Sequence, residues 1–126
     1  MLIDEYFQFV DNLLSSSAIV QDREVTYDRR DKSTGFIRAN IVFVDDSIVH
    51  VREFVNVMAD VERLMYSYQY MSAAKELIFR YDDTDHHRSL PTHPHHKHDG
   101  SEENVVQSNA PTLAEVLDEI GLLVSR

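Results

Sequence analysis

Phe36-Ile37-Arg38-Ala39-Asn40-Ile41-Val42-Phe43-Val44, then Asp45-Asp46-Ser47, then Ile48-Val49-His50-Val51-Arg52-Glu53-Phe54-Val55, is the stretch that decides the fold. Both long runs are rich in β-branched and aromatic residues, which suit the pleated, half-buried surface of a sheet. A short polar turn between two such runs signals an antiparallel hairpin. Upstream, Val25 and Tyr27 alternate with polar neighbours. Downstream, Leu64 to Met71 and Leu77 to Tyr81 repeat the pattern, with Tyr66, Tyr68 and Tyr70 sharing one face. The runs together predict an antiparallel meander of about five strands, with segment 58–64 open to reading as a short helical turn.

Helical periodicity flanks this sheet. Ile3, Tyr6, Phe7, Val10, Leu13 and Leu14 recur at three-to-four spacing, with Asp4, Glu5, Asp11 and Asn12 on the other side. The serines at 15–17 end that helix, because short hydroxyl side chains compete for backbone hydrogen bonds. Near the C-terminus, Thr112-Leu113-Ala114-Glu115 has capping-box spacing, and Leu113, Val116, Leu117, Ile120 and Leu123 form a second apolar stripe. Helix, sheet and helix make one α+β domain over 1–126, with both helices packed on one face of the sheet. Its parts are a helix and sheet over 1–82, a His/Pro-rich functional loop over 83–110, and a C-terminal helix over 111–126. Strand parity places Arg38, Asn40, His50 and Arg52 on the other face, where the histidine loop is free to fold across them.

Composition narrows the function. The chain has 126 residues with no Cys, so it holds no disulfide and no thiolate metal site. Its longest apolar run, Ile41 to Val44, is far short of the roughly 20 residues of a membrane helix. The acidic opening MLIDEYFQFV lacks the basic start of a signal peptide, so a soluble cytoplasmic domain is expected. A net charge of −10 repels nucleic acid overall, so phosphate chemistry requires a local basic patch.

One such patch exists. Six of the seven histidines, His86, His87, His93, His95, His96 and His98, lie between 86 and 98 with Arg88, Lys97 and no acid. Imidazole titrates nearest neutrality and serves as general acid, general base or metal ligand. The first functional reading is metal-free RNA cleavage, in which two histidines act as base and acid while Lys97, Arg80 or Arg88 holds the phosphoryl oxygens. A second is a divalent transition-metal site made by His95, His96 and His98 with His86, His87 or Asp85. Asp85-His86-His87 also spells the DHH tripeptide of a phosphoesterase superfamily, but the chain lacks the further acidic motifs and the length of those enzymes. The bland alternative is a solvated His-rich loop without chemistry. Against it stand Pro91 and Pro94, which restrict the backbone, and a cluster that directly follows a strand ending in Arg80-Tyr81-Asp82.

Other candidates are weaker. Alternating tyrosines on a strand are more often core or interface than base-stacking platforms. Arg23, Arg29, Arg30 and Lys32 are interleaved with Asp22, Glu24, Asp28 and Asp31 and read as a solvated hairpin. His50 between Val49 and Val51 reads as a satisfied sheet histidine. The chain carries no Ser-His-Asp set, phosphate loop or HExxH helix.

The string Tyr81-Asp82, His86-His87, Leu90-Pro91-Thr92 and Pro94-His95-His96-Lys97-His98 resembles the signature of the TumE-like toxin family, the toxin half of bacterial and archaeal toxin–antitoxin modules. The resemblance extends loosely over the whole chain and is specific over 80–98, most of all in the PHHKH pentapeptide. An aromatic residue is more usual in the family where His93 stands, which moves weight to the other histidines. The resemblance implies a toxin, with a cognate antitoxin protein as partner; the tyrosine face or an exposed sheet edge offers contact area for one, by strand addition for example. A homodimer is compatible with it.

The expectation is therefore an α+β toxin acting on RNA by histidine acid–base cleavage, with no cofactor. His86, His87, His95, His96 and His98 are the proton-transfer candidates, Arg80 and Lys97 the phosphate ligands, and Tyr81 and Asp82 the residues orienting an imidazole. The alternative is a non-catalytic module whose histidines bind a metal or a partner protein.

Overall fold

The computed structural model describes residues 1–124, which form two helices and one antiparallel sheet of seven strands among those residues. In chain order they are α1 (Ile3–Ser15), β1 (Val20–Arg29), β2 (Thr34–Phe43), β3 (Ile48–Asn56), β4 (Glu62–Met71), β5 (Leu77–Asp82), β6 (His96–Asp99), β7 (Val105–Gln107) and α2 (Leu113–Leu123). The strands pair in that order, a pure meander. The α+β class and the two flanking helices agree with the sequence reading, and the sheet has two more strands than it anticipated. Both lie in 83–110, the stretch expected to be loop. The expected C-terminal helix ran to 126, and its last two positions lie outside the described residues.

Direct cross-strand pairs share a face, and the register therefore fixes two sides. Ile37↔Glu53↔Tyr66, Ala39↔Val51↔Tyr68 and Ile41↔Val49↔Tyr70 lie on one side, with Phe79 and Tyr81 continuing the row. All are buried, and the apolar ones form one core with Ile3, Tyr6, Phe7, Val10 and Leu14 of α1 and Leu113, Val116, Leu117 and Ile120 of α2. Both helices thus cover the same face. The tyrosines of β4 are core, so they are no docking surface for a partner; the edges β1 and β7 remain for that role. The other side carries Arg38↔Arg52 and Asn40↔His50, as strand parity indicated.

Local signals explain the helix ends. The Leu2 N–H donates to Glu5 Oε1 at 2.8 Å at the start of α1, and Ser15 Oγ donates to the Asp11 carbonyl at its end. Thr112 Oγ1 accepts from the Glu115 N–H while Glu115 Oε1 accepts from the Thr112 N–H, completing the capping box of α2.

Gly35 sets how closely α1 lies on β2. A Cβ there would stand 2.6 Å from Phe7 Cζ and 2.7 Å from Ile3 Cγ1. Gly35→Ala is accordingly expected to lower stability by about 1–3 kcal/mol through overpacking, measured by urea unfolding. An unchanged midpoint would mean that α1 lifts from the sheet freely.

Candidate functional site

Strand alternation sorts the histidine segment. In β6 the register is Asp82↔His96, Tyr81↔Lys97 and Arg80↔His98. Residues 80, 82, 96 and 98 therefore point to the sheet face free of helices, and 81 and 97 point to the helix-covered face. The segment between β5 and β6 folds back over the free face and brings His87 against the strand pair. The His87 ring meets His96 at 4.6 Å and His98 at 5.8 Å between centroids, and His96 meets His98 at 5.0 Å, all edge to face. His86 follows at 6.5 Å from His87 and is exposed, whereas His96 is 1% and His98 6% exposed.

Asp82 is the hub of this cluster. Its Oδ1 accepts from the Thr84 N–H at 3.0 Å and hydroxyl at 2.8 Å, and its Oδ2 accepts from Arg80 Nε at 3.0 Å. Oδ1 also lies 2.8 Å from His96 Nε2, and Oδ2 lies 3.8 Å from His98 Nε2. Burial works to raise the Asp82 pKa, but the Thr84 and Arg80 hydrogen bonds outweigh it and hold the carboxyl below its ordinary range. Arg80 is engaged on both sides, because Glu102 grips its guanidinium at 2.6 and 2.7 Å while Gln69 accepts at 3.1 Å. The Glu102 hydrogen bond is the largest influence raising the Arg80 pKa.

Each buried ring is oriented by a backbone carbonyl. His96 Nδ1 is 3.0 Å from the Pro94 oxygen, and His98 Nδ1 is 2.8 Å from the Glu102 oxygen. A carbonyl only accepts, so both Nδ1 atoms carry the proton and both neutral rings present a lone pair at Nε2. The His96 Nε2 finds no aligned hydrogen bond among the described residues; Asp82 approaches it closely but out of line.

The cluster forms one wall of a pocket of about 510 Å³ whose lining includes Arg52, Ser67, Arg80, His86, His87 and His98. Arg52 also lines the neighbouring groove of about 380 Å³ formed by Glu24, Thr26, Arg38, Asn40 and His50. Arg38 and Arg52 are exposed and free of ion pairs among the described residues, and their guanidinium carbons lie 5.0 and 5.9 Å from the Phe36 ring centroid. Phe36 in turn stacks on Phe54 at 6.0 Å. His50, read as a sheet histidine, bonds Asn40 at the surface of this groove.

Of the candidates named from sequence, the structure gathers His86, His87, His96, His98, Arg80 and Asp82, and separates His95, Lys97 and Tyr81 from them. His95 stacks on Tyr66 at 5.8 Å and its Nδ1 lies 2.9 Å from the Tyr66 hydroxyl. Lys97 sits over the Phe79 and Tyr81 rings and 3.4 Å from Glu119 of α2. Tyr81 donates to Glu119 at 2.6 Å, so it orients no imidazole. The odd parity of Tyr81 and Lys97 in paired strands accounts for their turning away, and His95 stands just before β6. Thr84 and Glu102 stand outside the candidates named from sequence. Glu102 stands in a polar run with no periodic signal, whereas Thr84 two residues after Asp82 has the spacing of an Asx turn.

The family model described as Toxin TumE matches residues 10–123. The comparisons with curated proteins and with solved structures each gave no match. No helix among the described residues is long and apolar enough to cross a membrane.

Proposed function

The chain belongs to the TumE toxin family, and from that membership we propose that it is the toxin of a toxin–antitoxin pair and cleaves RNA at the histidine pocket. The observation that carries this reading is that three imidazoles, His86, His87 and His98, line one pocket with Asp82, the buried His96 packed behind them, and that this pocket shares Arg52 with a neighbouring groove whose arginines are unpaired among the described residues. Cationic grooves with aromatic side chains suit a single nucleic-acid strand. Arg38 and Arg52 supply the cations, since Arg80 is already neutralised by Glu102 and Asp82.

The chemistry is transfer of the phosphoryl group to the neighbouring ribose oxygen. The 2′-oxygen forms a bond to phosphorus as the bond from phosphorus to the 5′-oxygen breaks. A base takes the 2′-hydroxyl proton and an acid gives one to the departing oxygen. His86 and His87 stand at the solvent side of the pocket and are placed for those transfers, with the buried His96, His98 and Asp82 behind them. General acid–base assistance of this kind is worth roughly 10²–10⁴-fold in rate.

Mixed-sequence RNA incubated with the purified chain is expected to give fragments ending in 2′,3′-cyclic phosphate and 5′-hydroxyl. His87→Ala is expected to slow this by roughly 10²–10⁴-fold and His95→Ala to leave it unchanged. Intact RNA with the antitoxin-free wild type, both stripped of metal and supplied with zinc, cobalt, nickel or manganese, would overturn the reading.

A further inference from the structure

We infer that His87, His96 and His98, with Asp82 beside them, bind one divalent first-row transition ion such as Zn²⁺. The site rests on the geometry of the rings, and only its part in cleavage rests on the function proposed above. His87, His96 and His98 each offer a ligand nitrogen within 4.8 Å of the other two. His96 and His98 are alternate residues of one strand, so the pleat aims both at the same point.

Three further observations separate this cluster from a chance grouping of imidazoles. First, the Pro94 and Glu102 carbonyls take the Nδ1 protons, which leaves the Nε2 lone pairs of His96 and His98 for a ligand. Metal-binding histidines are held in this way, with the second ring nitrogen tied to a carbonyl or carboxylate. Second, His96 Nε2 is buried without an aligned partner among the described residues, which is costly for a polar atom unless a ligand completes it. Third, an oxygen of the Asp82 carboxylate stands 2.8 Å from His96 Nε2, which places an anionic ligand atom beside the three nitrogens.

Ligand chemistry selects the ion. Imidazole nitrogens suit zinc, copper, nickel and iron, whereas magnesium and calcium take oxygen ligands. Three imidazoles and a carboxylate match tetrahedral zinc, with bonds of about 2.0–2.1 Å, toward which the three rings close from their present spacing. With an ion in place, His87 becomes a ligand and His86 remains the free imidazole at the mouth for proton transfer.

The test uses the full chain stripped with chelator and titrated with Zn²⁺ by calorimetry, and with Co²⁺ followed by its visible absorption. One ion per chain and the spectrum of four-coordinate Co²⁺ are expected. His96→Ala and His98→Ala should weaken binding by at least about 100-fold, the upper end of the loss seen when only outer-shell partners are removed. His87→Ala changes a half-buried ring, so it tests the site even if the buried variants unfold. His93→Ala and His95→Ala should bind as the wild type does. A stripped wild type that takes up no stoichiometric ion, or binding that survives His87→Ala and disappears with His93→Ala or His95→Ala, would overturn the site. RNA cleavage in chelator by a chain that binds no ion removes the metal and leaves the cleavage proposal standing. Ion binding without RNA cleavage does the reverse.

Discussion

Arg63→Ala is expected to lower the free energy of unfolding by about 3 kcal/mol, the upper end of the cost of leaving buried polar groups without their hydrogen-bond partner. The core contains a carboxyl group, since Glu53 is 1% exposed and faces the helices from β3. Its two oxygens accept from the Tyr6 hydroxyl at 2.5 Å and from the Tyr68 hydroxyl. Burial, reinforced by the Glu53 charge, pushes both phenols above their ordinary pKa range, so they stay donors. Tyr68 oxygen accepts in turn from Arg63 Nη1 at 3.2 Å, which links carboxylate and guanidinium through a hydroxyl. The same guanidinium donates to the Pro111 and Ala110 carbonyls at 2.7 and 2.8 Å and lies 4.4 Å from the Tyr66 centroid. Truncation would remove the guanidinium that Tyr68 links to Glu53 and leave the Pro111 and Ala110 carbonyls at the entry to α2 without their donor. Urea unfolding at neutral pH measures the loss. Arg63→Lys should fall between wild type and alanine, because it restores charge but not the two-pronged grip on the carbonyls. A loss under about 1 kcal/mol, the range of exposed pairs, would show that solvent already serves Glu53.

That network was partly legible in the sequence. Glu53 shares strand parity with Val49, Val51 and Val55, so an acid on the core face could have been read from alternation alone. Its partners could not, because Tyr6 comes from α1, which only packing brings against β3, and Arg63 follows the register shift opposite Phe54 and Val55 in β4, which simple alternation does not reveal. The same limit governed the histidine segment. The first five strands announce themselves by apolar alternation, since one of their faces is core. β6 reads His-Lys-His-Asp and has no such pattern. It is a strand because β5 offers it a partner, a tertiary cause that local propensity does not carry. Residues 83–110 therefore read as loop, and the candidate site read as a set of neighbours in sequence when it is a set of neighbours by parity. Pro91, Pro94 and the position after β5 did carry the signal that the segment is held.

Parity gives the second large expectation. Asp82→Asn should lower RNA cleavage by roughly 10²–10⁴-fold, while Lys97→Met, one step out of phase on the neighbouring strand, should leave the rate unchanged. Asp82 is 4% exposed and serves as acceptor from both of its oxygens, to Thr84 through Oδ1 and to Arg80 through Oδ2. An amide has one acceptor and one donor end. If the oxygen stays on Thr84, the NH₂ group meets the Arg80 N–H, and if it turns, the NH₂ group meets the Thr84 N–H. Either way a donor faces a donor in a buried place, and the negative charge beside His96 and His98 is gone. The imidazoles then lose the carboxylate that stands against them, and with it the fourth ligand of any ion they share. Lys97 instead lies against Glu119 and the Phe79 and Tyr81 rings, behind the sheet. Initial cleavage rates, read together with urea midpoints to set aside unfolding, decide the matter. If Lys97→Met costs as much rate as Asp82→Asn, the reacting phosphate sits on the helix-covered side and the pocket is not where RNA is cut.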